Sequence, residues 1–159
     1  MSESWVLVDG YNVVHAWPKL VKPAGRSLEN RRAALLSLLA QYADQTGRRV
    51  TVVFDGSAAK HKPVDSQTPA GLEVLFSDRG KTADEVIERL VAQAAHRPQI
   101  LVITSDSLER QMVENLGAWS MSADAFAVEV ATALRDLAQS VRQHSRPRRL
   151  GAVRERFQG

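Results

Sequence analysis

Cysteine is absent from all 159 residues. That removes disulfides and thiolate metal sites from consideration and suits a reducing compartment. No apolar run approaches the roughly 20 residues of a membrane span. The N-terminus has no basic segment followed by an apolar stretch and a cleavage site, so no signal peptide is expected and the cytoplasm is the expected address. Several phosphate-handling signatures are missing too. There is no G-x-x-x-x-G-K-[ST] loop, no G-x-G-x-x-G and no G-x-S-x-G elbow. Asp9 is followed by Gly10 and Tyr11, so an Asp-x-Asp nucleophile pair is lacking. The four histidines, His15, His61, His96 and His144, are scattered without ligand spacing, and His96 falls at a helix end.

What is present is the composition of a folded domain, 44% hydrophobic and 25% charged. The length fits one domain with a sizeable core. The formal net charge is +3. Much of the excess sits at the end of the chain, where Arg142, Arg146, Arg148, Arg149, Arg154 and Arg156 face a single acid, Glu155. We therefore divide the chain into a domain over 1–143 and a basic tail over 144–159, a tail that reads either as a nucleic-acid contact or as a solvated extension.

Short apolar runs alternate with helical patterns. WVLV (5–8), VTVVF (50–54), LEVLF (72–76) and ILVIT (100–104) read as strands, most of them continuous enough to be covered on both faces. AWSM (118–121) is a weaker fifth. Helices are expected from Ser27 to about Thr46, from Thr82 with Glu85 completing a capping box, over SLERQMVENL up to Gly117, and from about Ala123 to about Gln143 after Ser122. Such alternation implies crossover connections and a parallel sheet. The segment from Gly56 to Ala70, with Lys60, His61, Lys62 and two prolines, reads as a long loop of the kind that often carries function.

The acids then fall into a pattern. Asp9, Asp55 and Asp106 each follow an apolar strand within a residue or two. Parallel strands all end on one edge, and open α/β sheets bind ligands outside that edge. Asp84 lies in the first turn of the Thr82 helix, near the same edge. Glu88 lies one turn on and shares its face. Asp78 is a weaker member. Taken singly, each has an ordinary explanation: Asp9-Gly10 and Asp55-Gly56 as turn pairs, Asp84 as a helix-dipole partner, Asp106 or Ser105 as an N-cap. Together they describe a carboxylate cluster. Close carboxylates repel unless a cation sits among them. An oxygen-only donor set favours Mg2+ or Mn2+, one ion or two.

DGYNVV at Asp9 to Val14, VVFDG at Val52 to Gly56, FSDRGKTADEVIERL at Phe76 to Leu90 and VITSD at Val102 to Asp106 resemble, in this order, the YacP-like branch of the NYN domains, within the PIN-like nuclease superfamily. The likeness covers roughly residues 4 to 140. It implies a three-layer α/β/α sandwich with a mostly parallel central sheet, and a metal-dependent endoribonuclease. The family's acidic site matches Asp9, Asp84 and Asp106, with Asn12 as the amide of the opening motif and Asp55 in or next to the ligand set. The same resemblance implies RNA as substrate, messenger RNA in some bacterial members, with the ribosome as a partner. One departure stands out: where the family carries Gly-Glu-Thr-Ala-Asp, this chain has Gly80-Lys81-Thr82-Ala83-Asp84.

On this reading Thr82 and Ser105 tune the acids by hydrogen bonds. Arg79, Lys81, Lys60, Lys62 and Arg110 are candidate phosphate contacts, and Tyr11 and Trp17 candidate base-stacking groups. The rival is a non-catalytic RNA- or ribosome-binding module on the same fold. A phosphoacceptor domain centred on Asp55 would need a lysine at the end of a later strand, which is not seen.

Overall fold

The computed structural model describes residues 5–21, 27–56, 71–136 and 138–139. The Lys60-His61-Lys62 segment and the basic tail lie outside them. β1 (Trp5–Asp9) runs directly into α1 (Gly10–Ala16) and the short α2 (Pro18–Val21). There follow α3 (Leu28–Thr46), β2 (Arg49–Phe54), β3 (Leu72–Phe76), α4 (Ala83–Gln93), a 3-10 turn (Arg97–Gln99), β4 (Ile100–Ile103), α5 (Ser107–Asn115) and β5 (Trp119–Met121). A last helix, α6, spans 123–136.

The five strands form one sheet in the order β3-β2-β1-β4-β5, and every pairing is parallel. Alternation along each strand sorts the core into two layers. Val6, Val8, Val50, Val52, Leu101 and Ile103 face α1, α3 and α6, where Val13, Trp17, Leu35, Leu39, Tyr42 and Phe126 close over them. Leu7, Val53 and Val102 face the other way, against Ile87 and Val91 of α4 and Val113 of α5. The result is a helix–sheet–helix sandwich. Each fully buried Val or Leu side chain contributes roughly 1.5–3 kcal/mol by leaving water, so the two layers carry the fold.

Local signals place the helices. Ser27 accepts from the Asn30 N–H at 3.0 Å and starts α3. Thr82 and Glu85 form a reciprocal capping box on α4. The Ser122 hydroxyl accepts from the Ala125 N–H at 3.1 Å at the head of α6. Gly117, at φ +102°, closes α5.

The turn that would ordinarily explain Asp9-Gly10 is absent: Gly10 starts α1, and neither Gly10 nor Gly56 has a positive φ. Both glycines are there for clearance. A Cβ on Gly10 would stand 2.3 Å from the Phe54 ring, and one on Gly56 would stand 1.9 Å from the Ser77 carbonyl oxygen. Sequence order reverses across β1, with β2 on one side and β4 on the other. That switch point is where an open α/β sheet leaves a crevice at its C-terminal edge. Among the described residues no helix is long and apolar enough to cross a membrane.

Candidate active site

A cleft of about 470 Å³ opens at that edge, lined by Asp9, Tyr11, Asn12, His15, Leu28, Asp55, Thr82, Ala83, Asp84, Asp106 and Glu109. Four of the expected acids, Asp9, Asp55, Asp84 and Asp106, are brought together here from β1, the end of β2, the first turn of α4 and the head of α5. No three Asp, Glu or His side chains among the described residues are drawn tightly enough to form a closed metal cage. The acids share a cleft, not a single point.

Each acid is held differently. Asp9 ends β1 and stands at the N-cap of α1, where it makes no formal capping bond, although the Asn12 backbone N–H still favours its charge. Burial pushes the Asp9 carboxyl above the usual carboxylate range, and the charges of Asp84 and Asp106 push the same way. Asp84 accepts on Oδ1 from the Thr82 hydroxyl and from the Glu85 N–H. Thr82 therefore caps its helix and orients an acid with one hydroxyl. Asp106 is the N-cap of α5 and accepts from the Leu108 and Glu109 N–H groups at 2.9 and 3.3 Å, both on Oδ1. Its capping role and its place on the cleft coexist.

Asn12 is fixed by the chain across the switch point. Its Oδ1 accepts the Ser105 N–H at 2.9 Å. Ser105 in turn offers its Oγ to the Ala123 N–H at 3.1 Å. The two residues tie α1, the loop after β4 and the head of α6 into one unit, so Ser105 is a strut behind the cleft.

The acid that sequence reasoning missed is Glu109. It lies three residues after Asp106 on the inner side of α5, only 2% exposed. The Thr104 hydroxyl is near enough to favour its charge but not in hydrogen-bond geometry, so both carboxylate oxygens are sealed from solvent without a donor among the described residues. Burial first, then the Asp9 charge, pushes Glu109 up to about 9. A neutral Glu109 can donate to Asp9, which relieves part of the crowding.

Other expected residues lie elsewhere. Glu88 senses Asp84, and burial and that charge raise its carboxyl, yet it does not line the cleft. Arg110 turns away, its Nε donating to Ser120 Oγ at 3.1 Å, where Ser120 also donates to Glu114. Arg79 is exposed and Lys81 half-buried in the loop before α4, outside the lining. Lys60 and Lys62 lie outside the described residues. Trp17 is not a stacking group: it is 2% exposed, with Nε1 donating to the Ala123 carbonyl at 2.7 Å. Tyr11 does line the cleft.

The profile of the YacP-like NYN domain matches residues 6–157, through the basic tail. YacP of Bacillus subtilis (strain 168) is 39% identical over 150 residues, covering 93% of this chain and 87% of that protein. The crystal structure of Rae1 (YacP) from Bacillus subtilis superposes with a TM-score of 0.78 at 36% identity, covering 96% of this chain and 87% of that one. A variant of it with one tryptophan-to-leucine substitution gives a TM-score of 0.73 at 37% identity, covering 89% and 82%.

Proposed function

This chain belongs to the YacP-like NYN domain family, and from that premise we propose that it is a divalent-metal-dependent endoribonuclease. Membership itself gives the coarser statement, an RNA-related, nuclease-like fold. The finer reading rests on one observation: carboxylates from four separate elements line one cleft at the switch point of the sheet, with no arginine or lysine lining it among the described residues.

A polyanion binder gains nothing from that charge unless a cation comes with it. The residues fit such an ion. The carboxylates offer only oxygens, and among the described residues Glu109 presents two buried oxygens without a hydrogen-bond donor. Mg2+ takes one or two protein carboxylates and keeps several waters, so an open cleft suits it better than a closed cage. Asp9, Asp84 and Asp106 would hold one or two Mg2+ or Mn2+ ions, with Asp55 and Glu109 alongside. When bound, such a cation polarises the scissile phosphate and offsets charge on the attacking and leaving oxygens.

The chain's own residues supply positioning. Thr82 keeps one oxygen of Asp84 directed. Asn12, anchored through Oδ1 to Ser105, leaves its NH2 group to serve Asp9 or a phosphate oxygen. Glu109 backs Asp9 from inside. The reaction is hydrolysis: water adds to phosphorus, the ester bond to the leaving ribose oxygen breaks, and that oxygen takes up a proton. The proposed setting is the cytoplasm, with messenger RNA as substrate and the ribosome as partner. The six arginines from Arg142 to Arg156 are the supporting feature of the chain.

The rival reading, an RNA-binding module with an idle site, draws support from the lack of a closed acidic cage among the described residues. The two separate in one assay. A mixed RNA pool is incubated with Mn2+ and either the wild type or Asp9→Asn. Cleavage by the first and not the second is expected; equal behaviour removes the enzyme reading.

A further inference from the structure

The cleft has a second wall that the acid chemistry does not use. Tyr11 and His15 are four residues apart on α1 and share a face. Leu28, at the head of α3 and 37% exposed, lies beside them in the lining. Among the described residues this wall adds no acid, lysine or arginine to the lining.

Tyr11 is held at both ends. Its ring packs on Phe54 with centroids 4.8 Å apart, and Phe54 packs on Phe76 at 5.5 Å. The buried Arg32 places its guanidinium 5.9 and 5.7 Å from those two phenyl centroids, and its Nη1 donates to the Tyr11 hydroxyl at 3.1 Å. A buried cation is spent on keeping one tyrosine ring in place. Arg32 is not among the residues that line the cleft. The ring itself is only half-buried and faces the cleft. A fixed aromatic ring in a cleft of about 470 Å³ that also holds acids suited to a cation and a phosphate fits a nucleotide, its backbone at the acids and its base at the ring.

We propose that Tyr11, His15 and Leu28 form a nucleobase subsite, so that the cleft takes single-stranded RNA with one unstacked base laid on the Tyr11 ring. This rests on the endoribonuclease reading and names the class of RNA it selects. A paired base is already stacked and hydrogen-bonded inside its helix, so duplex RNA is excluded. Stacking accepts any base, so the subsite selects for strandedness more than for sequence.

The test is binding, read apart from cleavage. In an Asp84→Asn background, with Mg2+ present, three labelled probes are compared by fluorescence anisotropy: a mixed-sequence RNA octamer, an abasic ribose-phosphate octamer and an eight-base-pair RNA duplex. The base-bearing single strand is expected to bind about tenfold tighter than the other two, as stacking on one ring supplies. Adding Tyr11→Ala removes that advantage and leaves abasic binding unchanged, while Tyr11→Phe keeps it within about threefold because the ring remains. Tyr11 also packs on Phe54, so Leu28→Glu provides a second variant at an exposed position, where an acid in the first turn of α3 is tolerated by the helix. It is expected to reduce the same advantage. Equal binding of base-bearing and abasic strands, or equal losses for both in Tyr11→Ala and Leu28→Glu, overturns the subsite. Discrimination by binding together with no cleavage of any RNA by the wild type would leave the subsite standing and overturn the hydrolytic reading alone.

Discussion

The two ends of the sheet are built on opposite electrostatic principles. At the N-terminal edge, Arg49 of β2 lies over the ring of Trp5 at 3.9 Å and pairs with Glu73 of β3 at 2.8 Å. Thr51 donates to the same carboxylate at 2.7 Å and accepts from Trp5 Nε1 at 2.8 Å. Register makes this cluster: Trp5 stands opposite Arg49, and Thr51 opposite Glu73. Every group has a partner, and the Arg49 guanidinium holds the Glu73 carboxyl below its usual range. At the C-terminal edge, Asp9 and Glu109 are pushed the other way, both by burial first, Asp9 then by the charges of Asp84 and Asp106 and Glu109 by the charge of Asp9. One edge is electrostatically complete within the chain. The other gathers carboxylates in one cleft, and on the proposed reading that contrast separates a structural end from a working one.

Removing an acid from the working edge should have the largest effect. Asp84→Asn or Asp9→Asn is expected to lower Mn2+-dependent RNA cleavage by at least about 10²–10³-fold, the scale of losing a charge-stabilising group at a reacting centre. Thermal stability of the metal-free protein should hold or rise, because each change relieves repulsion. A large loss of both activity and Tm would mean that the acids are structural, and the contrast between the edges would disappear.

Glu109→Gln sharpens the same contrast through stability. Its carboxyl is raised to about 9 in the folded protein, above the 4.5 of an ordinary glutamate. The folded state therefore binds this proton more tightly than the unfolded chain. The stabilisation it brings is fully present below about pH 4.5 and is lost as pH rises toward 9. Glutamine cannot ionise, so Glu109→Gln should gain about 1–3 kcal/mol over wild type at high pH, the scale of a buried group left without a partner. The difference should shrink toward acid. Melting curves of metal-free wild type and variant from pH 5 to 9 measure it; a pH-independent difference would show that Glu109 does not carry the strain. Mn2+ should narrow the gap at high pH by stabilising the wild type.

How much of this was legible in the sequence depends on which force writes the signal. Strand positions were readable because burial on both faces imposes continuous apolar runs; even Trp119–Met121 appeared as a weak candidate. The rim acids were readable because parallel strands end together. Glu109 was not: a glutamate on a helix is ordinarily solvated, and only its spacing to Asp106 and to buried Val113 marks it as facing inward. α1 was missed because Asp-Gly usually marks a turn, although Val13, Val14 and Trp17 keep helical spacing behind it. Arg32 was invisible for a like reason, since its partners Tyr11, Phe54 and Phe76 come from three other segments.

The glycines give an intermediate effect at the rim. Gly10→Ala would press a methyl group into the Phe54 ring, and Gly56→Ala would press one into the Ser77 backbone. Both should destabilise by about 1–3 kcal/mol, as overpacking does. Gly10→Ala should also disturb Tyr11, which rests on the same ring. If either alanine were neutral in thermal melts, the turn explanation would regain ground over the clearance one.

The smallest effect belongs to the finished edge. Arg49 and Glu73 are about half exposed, with side-chain exposures of 53% and 47%. Water and salt already screen such a pair, so Arg49→Ala should cost about 1 kcal/mol or less. Part of that loss comes from the Trp5 ring, which loses its stacked guanidinium and becomes more exposed. The loss should fade in 1 M salt, where the Debye length falls to about 3 Å. RNA cleavage should be untouched, because none of Trp5, Arg49, Thr51 and Glu73 lines the cleft. A drop in cleavage without a drop in Tm would show that charge at one end of the sheet is felt at the other, and the separation between a structural end and a working one would have to be abandoned.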